Sequence, residues 1–211
     1  IIILPMICIV GQRETGSALV YSAFFLMFYR EGMPGSILFT AVAMVVYFVV
    51  GVKYENVMMW DGQTSVGEFV VLLLVQIFST GMVSTYIHNG RQTVQMLLYT
   101  VGITLGCMLF SVYVIPFDVT YVQLIVSFVL IGFLFYQGLS SRIRNYYFIA
   151  LFALGSLAFF YSADYVLNNV MEPHQRVRIN VLLGLEEDLA GAGYNVHQSE
   201  IAIGSGGLQG K

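Results

Sequence analysis

Charge is what this chain has least of. Nine Lys and Arg with 12 Asp and Glu make 10% of its 211 residues charged, against roughly 25% in an ordinary soluble domain. The 58% of hydrophobic residues and a mean hydropathy of +0.80 exclude a water-soluble fold, which cannot hide that much apolar surface. Cysteine is scarce too. Cys8 and Cys107 both lie in apolar blocks, so they read as small buried hydrophobes with no redox or metal role. His88, His174 and His197 do not have zinc spacing, and no His-Glu-x-x-His occurs. A Gly-x-Ser-x-Gly elbow is also missing, which leaves serine-type hydrolysis without support. The net charge of −3 points to no nucleic-acid partner.

What is present comes in apolar blocks of about 17 to 22 residues, the length a helix needs to cross the hydrocarbon of a bilayer. The blocks predict a helix remnant ending near Val10 and spans at 15–30, 34–52, 65–87, 93–115, 119–140 and 146–168. The expected fold class is therefore all-α: a polytopic integral membrane protein with six complete transmembrane helices plus a remnant. Both ends read as cut. Arg30, Arg91, Arg142 and Arg144 fall in turns on one side, which the positive-inside rule assigns to the cytoplasm, while Arg13 and Lys53 fall on the other. Arg176 and Arg178, close to the last span, count against that assignment. Residues 11–14, 53–64, 116–118 and 169–211 are then outside.

Residues 169–211 carry 8 of the 21 charged side chains and no spanning block. This long extracytoplasmic segment is where polar chemistry belongs. Its Glu186-Glu187-Asp188 run, just before Gly191-Ala192-Gly193-Tyr194, reads either as a solvated turn or as the seat of a general base. Arg176 and Arg178 would share a face in a strand and diverge by about 200° in a helix. They suit a pyrophosphate or phospholipid headgroup, or equally an interfacial anchor to lipid phosphates. Glu14 sits at the start of a span, where a carboxylate also serves the helix dipole. Ser65-Val66-Gly67-Glu68 fits a capping box, a structural role for Glu68. The Gly204-Ser205-Gly206-Gly207 run lacks the residues of a nucleotide-binding loop.

Two segments together resemble a known family. His174-Gln175-Arg176-Val177-Arg178-Ile179, Glu187-Asp188, Gly191-Ala192-Gly193-Tyr194-Asn195, Gln198-Ser199, Ile201-Ala202-Ile203-Gly204-Ser205-Gly206-Gly207 and Gly210-Lys211 resemble the signature loop of the SEDS family (FtsW/RodA/SpoVE), its RodA-like members above all. Gln12-Arg13-Glu14-Thr15-Gly16-Ser17 is similar to the family's Gln-Pro-Asp-Leu-Gly-Thr motif. Leu189 and Arg13 replace prolines of the family pattern, and Glu14 replaces an Asp. The family as we know it has two spans between these motifs where this chain has six, so residues 53–144 read as additional helices. An even insertion keeps both motifs on one side of the membrane.

The resemblance implies a peptidoglycan glycosyltransferase of the bacterial inner membrane that polymerises lipid II for cell elongation and rod shape. In that reading residues 1–168 form the transmembrane region and 169–211 the catalytic loop. Asp188 is the general base of an inverting transfer, and Glu14, Arg176, Arg178, Gln198 and Ser199 bind substrate. A divalent cation, Mg or Mn, would assist the arginines, with no organic cofactor. The implied partners are lipid II, a class B penicillin-binding protein, other elongation-complex membrane proteins and the bilayer, with no nucleic acid. A lipid II flippase is the alternative, because Gln76, Gln123 and Asp164 also suit a translocation path.

Overall fold

Hydrocarbon offers the backbone no hydrogen bonds, so each apolar block closes its own bonds as a helix. The computed structural model describes Pro5, Val20 and residues 23–185 and 194–206. Helix α1 (Phe24–Arg30) is followed by α2 (Gly35–Lys53), α3 (Val66–Ile87), α4 (Gly90–Tyr113), α5 (Val119–Ser141) and α6 (Arg144–Tyr165). The last runs on into a π-helical turn, Val166–Val170, before α7 (Pro173–Leu183) and α8 (Tyr194–Gly206). Among the described residues five helices are long and apolar enough to cross a membrane: α2 to α5 and Arg144–Val170. They match five of the six predicted spans. The predicted span at 15–30 and the remnant before it lie largely outside the described residues, and only α1 is seen there. Within the polar C-terminal segment, the described stretches are helical.

The chain forms two compact units, residues 1–45 and 46–211. In the second, α3 packs against α4, α5 and α6; Val71, Leu72, Val75 and Val83 of α3 are buried, as are Leu134 of α5 and Ile149 of α6. Leu98, Val129 and Leu151 stay exposed, as suits side chains that meet lipid. Polar groups inside the bundle are mostly satisfied locally. Ser79, Thr80, Thr104 and Ser127 each donate to the carbonyl four residues back. Gln76 and Gln123 instead clasp α3 to α5: Gln76 Nε2 donates to the Gln123 carbonyl (3.1 Å) and Gln123 Nε2 to the Phe69 carbonyl (3.3 Å).

The connections gather at two ends. At one, Asn145 Nδ2 donates to the Tyr86 carbonyl and Tyr146 Oη to Gln92 Oε1, joining the turns that carry Arg91, Arg142 and Arg144. At the other, the 54–65 loop closes through a bridge between Met58 and Ser65. Asp61 is its clamp. Its carboxylate accepts from the backbone N–H groups of Gln63 (3.2 Å) and Thr64 (3.1 Å) and from the hydroxyls of Thr64 and Ser111. Thr64 Oγ1 in turn accepts from Val119 N (3.0 Å), so residues 54–65 and 111–119 are held on one face, as the alternation of spans predicts.

Burial raises the Asp61 carboxyl, but the hydrogen bonds from Thr64, Gln63 and Ser111 outweigh it and hold it below its ordinary value of 3.8. A depressed carboxyl stabilises the fold at pH above its unfolded value and loses that contribution as pH falls through the folded one. Asp61→Asn should therefore lower the thermal midpoint in detergent at pH 7 and flatten its decline below about pH 5. An undiminished acid decline in the variant would refute the clamp.

The turn between α2 and α3 depends on one glycine. A Cβ on Gly67 would stand 2.5 Å from the Gly51 carbonyl oxygen and 2.9 Å from the Tyr54 carbonyl carbon, whereas one on Gly81 meets nothing within 4 Å. Gly67→Ala should cost about 1–3 kcal/mol by overpacking, with Gly81→Ala neutral or stabilising. Thermal melting of the two variants side by side decides this.

Candidate functional site

At the 54–65 end of the bundle, the tail of α2, the head of α3 and the tail of α6 diverge around a cleft of about 140 Å³ lined by Glu55, Glu68, Tyr161 and Asp164, with Phe48 and Phe160. Acidic side chains cluster here because each stands at a helix end, where it reaches water. Tyr161 Oη donates to Glu68 Oε1 at 2.7 Å. The capping-box expectation for Glu68 is thus corrected. Ser65 is the N-cap of α3 but makes no side-chain cap bond; its hydroxyl donates to the Glu55 carbonyl at 2.9 Å. The close approach of α2 and α3 at Gly67 brings that free carbonyl to Ser65 and leaves Glu68 to face the cleft. A local motif gave no signal for this, because Tyr161 is 93 positions away.

From the cleft a chain of bonds leads to α7. Asn168 Nδ2 donates to Asp164 Oδ1 (2.9 Å) and to Glu55 Oε1 (3.4 Å), and its Oδ1 accepts from Arg176 Nη2 (2.7 Å). Arg176 Nε donates to the Leu167 carbonyl at 3.1 Å, satisfying one of the carbonyls that a helix end leaves free. The π-helical turn makes this possible, since its Met171 N to Val166 O bond widens the last turn of α6.

Of the residues predicted as a site, Arg176 is half-buried at this junction. Arg178 is exposed on the same helix. Two positions apart on a helix, they diverge by about 200°, so the strand-like pairing on one face does not occur. Gln198 and Ser199 are exposed on α8. Glu14 and Asp188, with Glu186 and Glu187, lie outside the described residues. Among the described residues no three Asp, Glu, His or Cys side chains converge as metal ligands do. Asp164 belongs to the cleft, whereas Gln76 and Gln123 lie deep between α3 and α5, a separate polar level. Along the bundle, α4 and α5 leave an open apolar groove of about 720 Å³ lined by Tyr99, Ile103, Ile125, Val129 and Phe133 among others.

A family model described as a cell cycle protein family, FTSW_RODA_SPOVE, matches residues 66–211. The chain belongs to the FtsW/RodA/SpoVE family. Its match begins within the stretch 53–144, read above as additional spans, and continues through α8. The peptidoglycan glycosyltransferase RodA of Treponema pallidum (strain Nichols) is 28% identical over 211 residues, all of this chain and 39% of that protein. The peptidoglycan glycosyltransferase MrdB of Escherichia coli (strain K12) is 41% identical over 78 residues, 37% of this chain and 19% of that protein. This FtsW/RodA/SpoVE chain thus spans about two fifths and one fifth of the lengths of these relatives. No solved structure matches it.

Proposed function

We propose that the protein of which this chain is part polymerises lipid II, the undecaprenyl-pyrophosphate-linked disaccharide-pentapeptide, on the outer face of the inner membrane. The observation that carries this reading is the family match over 66–211, which takes in the whole polar segment, together with two relatives that are both peptidoglycan glycosyltransferases. A sugar hydroxyl is a poor nucleophile. Asp188 takes its proton as it attacks the anomeric carbon, the bond to pyrophosphate breaks in the same inverting step, and no covalent enzyme intermediate forms. Negative charge gathers on the leaving pyrophosphate, where Arg178, exposed on α7, and Arg176, held by Leu167 and Asn168, stabilise it. Glu14, Gln198 and Ser199 orient the sugars. The groove between α4 and α5 is a fitting bed for the polyprenyl chain. Bound Mg or Mn would add positive charge at the pyrophosphate. A class B penicillin-binding protein is the proposed partner for cross-linking, within an elongation complex.

In the full-length protein, Asp188→Asn should cut polymerisation of purified lipid II by roughly 10²- to 10⁴-fold while sparing membrane insertion. Glu186→Gln and Glu187→Gln should each cost far less. Equal losses in all three would make the run an electrostatic patch. An unchanged polymerisation rate with failed precursor transport would favour the flippase.

Orientation has its own test. A cysteine replacing Glu172 in a background without other thiols should react with an impermeant maleimide added from outside, and one replacing Arg142 should not. The reverse pattern would overturn the placement.

A further inference from the structure

Arg176 is held by a side chain that no motif contains. We infer that Asn168 is a positioning residue for the pyrophosphate-handling guanidinium, a deepening of the proposed function that rests on Arg176 having that task. Three observations converge. Asn168 lies in the π-helical turn Val166–Val170, the one widened turn among the described helices. Its amide stands between unlike groups: Oδ1 accepts from Arg176 Nη2 at 2.7 Å, and Nδ2 donates to Asp164 Oδ1 at 2.9 Å. Arg176 Nε is taken by the Leu167 carbonyl of the same turn at 3.1 Å.

Chemistry dictates which way the amide points, since a guanidinium only donates and a carboxylate only accepts. Asn is therefore not exchangeable for Asp here. An aspartate would keep the acceptor for Arg176 but would turn a second oxygen towards Asp164 and Glu55, with no proton to share. A direct Arg176–Asp164 ion pair would neutralise the guanidinium; the interposed amide fixes its rotamer and leaves its charge for a phosphate. Bonds to Leu167 and Asn168 use two of its five N–H groups, and the planar fork is then presented in one orientation.

The test is a double-mutant cycle on lipid II polymerisation by the full-length protein with its partner, with thermal midpoints measured in parallel. Asn168→Ala should lower kcat roughly tenfold, the rate equivalent of one hydrogen bond to a charged group, with KM and the midpoint little changed. Asn168→Asp should be worse than Asn168→Ala. In an Arg176→Ala background neither substitution should cost anything further. Loss of the same size in both backgrounds, or loss that tracks a fall in the midpoint, would show a merely structural asparagine and overturn the inference. Should Asn168→Ala fail to insert, Asp164→Asn serves one bond further out and should likewise lose its effect when Arg176 is absent. If Arg176→Ala itself polymerises normally, the assignment of Arg176 fails and this inference with it. If Arg176→Ala is inactive while Asn168→Ala and Asn168→Asp are not impaired, only the positioning role fails.

Discussion

The bilayer's refusal to hydrogen-bond the backbone is the constraint on which this structure depends. It forces each apolar block into a self-satisfied helix, and it favours polar side chains inside the bundle that find a partner within reach. Serine and threonine do so by returning their hydroxyls to the carbonyl one turn earlier. The two buried glutamines are too long for that and reach across to backbone carbonyls of the neighbouring helix. Their bonds fix the mutual register of α3 and α5 more strictly than the surrounding valines and leucines can.

Expelled from the interior, charge collects at the helix ends, and there the protein becomes specific. The 54–65 loop is drawn tight by Asp61, which ties together a hairpin, the end of α4 and, through Thr64, the start of α5. That face also holds Glu55, Glu68 and Asp164 around one cleft. Arg176 on α7 is joined to two of them, Asp164 and Glu55, through the amide of Asn168. A cation kept near carboxylates but not spent on them suits the proposed handling of a departing anion.

How much of this was readable in advance varies with distance along the chain. The positions of the five spans among the described residues were legible to within a few residues, because hydrophobic length is a local property and the membrane sets it. The family was legible from the polar segment, where Arg176, Arg178, Gln198 and Ser199 stand in a dense pattern of short motifs. Glu68 was misread. A capping box is a local pattern, and nothing within four residues of Glu68 reveals that Tyr161 will approach it or that the Glu55 carbonyl will compete for Ser65. Asn168 gives no local signal for a similar reason: the asparagine pair in Val-Leu-Asn-Asn-Val looks like the frayed end of a span.

What the sequence by itself determined is the all-α membrane-spanning class, the alternation of faces and the membership of the FtsW/RodA/SpoVE family, since each follows from composition, block length or contiguous motif. Only the tertiary structure decided that Arg176 and Arg178 part company on a helix, that Glu68 turns into a cleft, and that an amide joins Asp164 to Arg176. These are contacts between residues brought together by packing, and they depend on angles and close approaches such as that of Gly67 to Gly51. Hydrophobic periodicity carries no record of them, because it reports how a segment meets lipid and not which neighbour it meets.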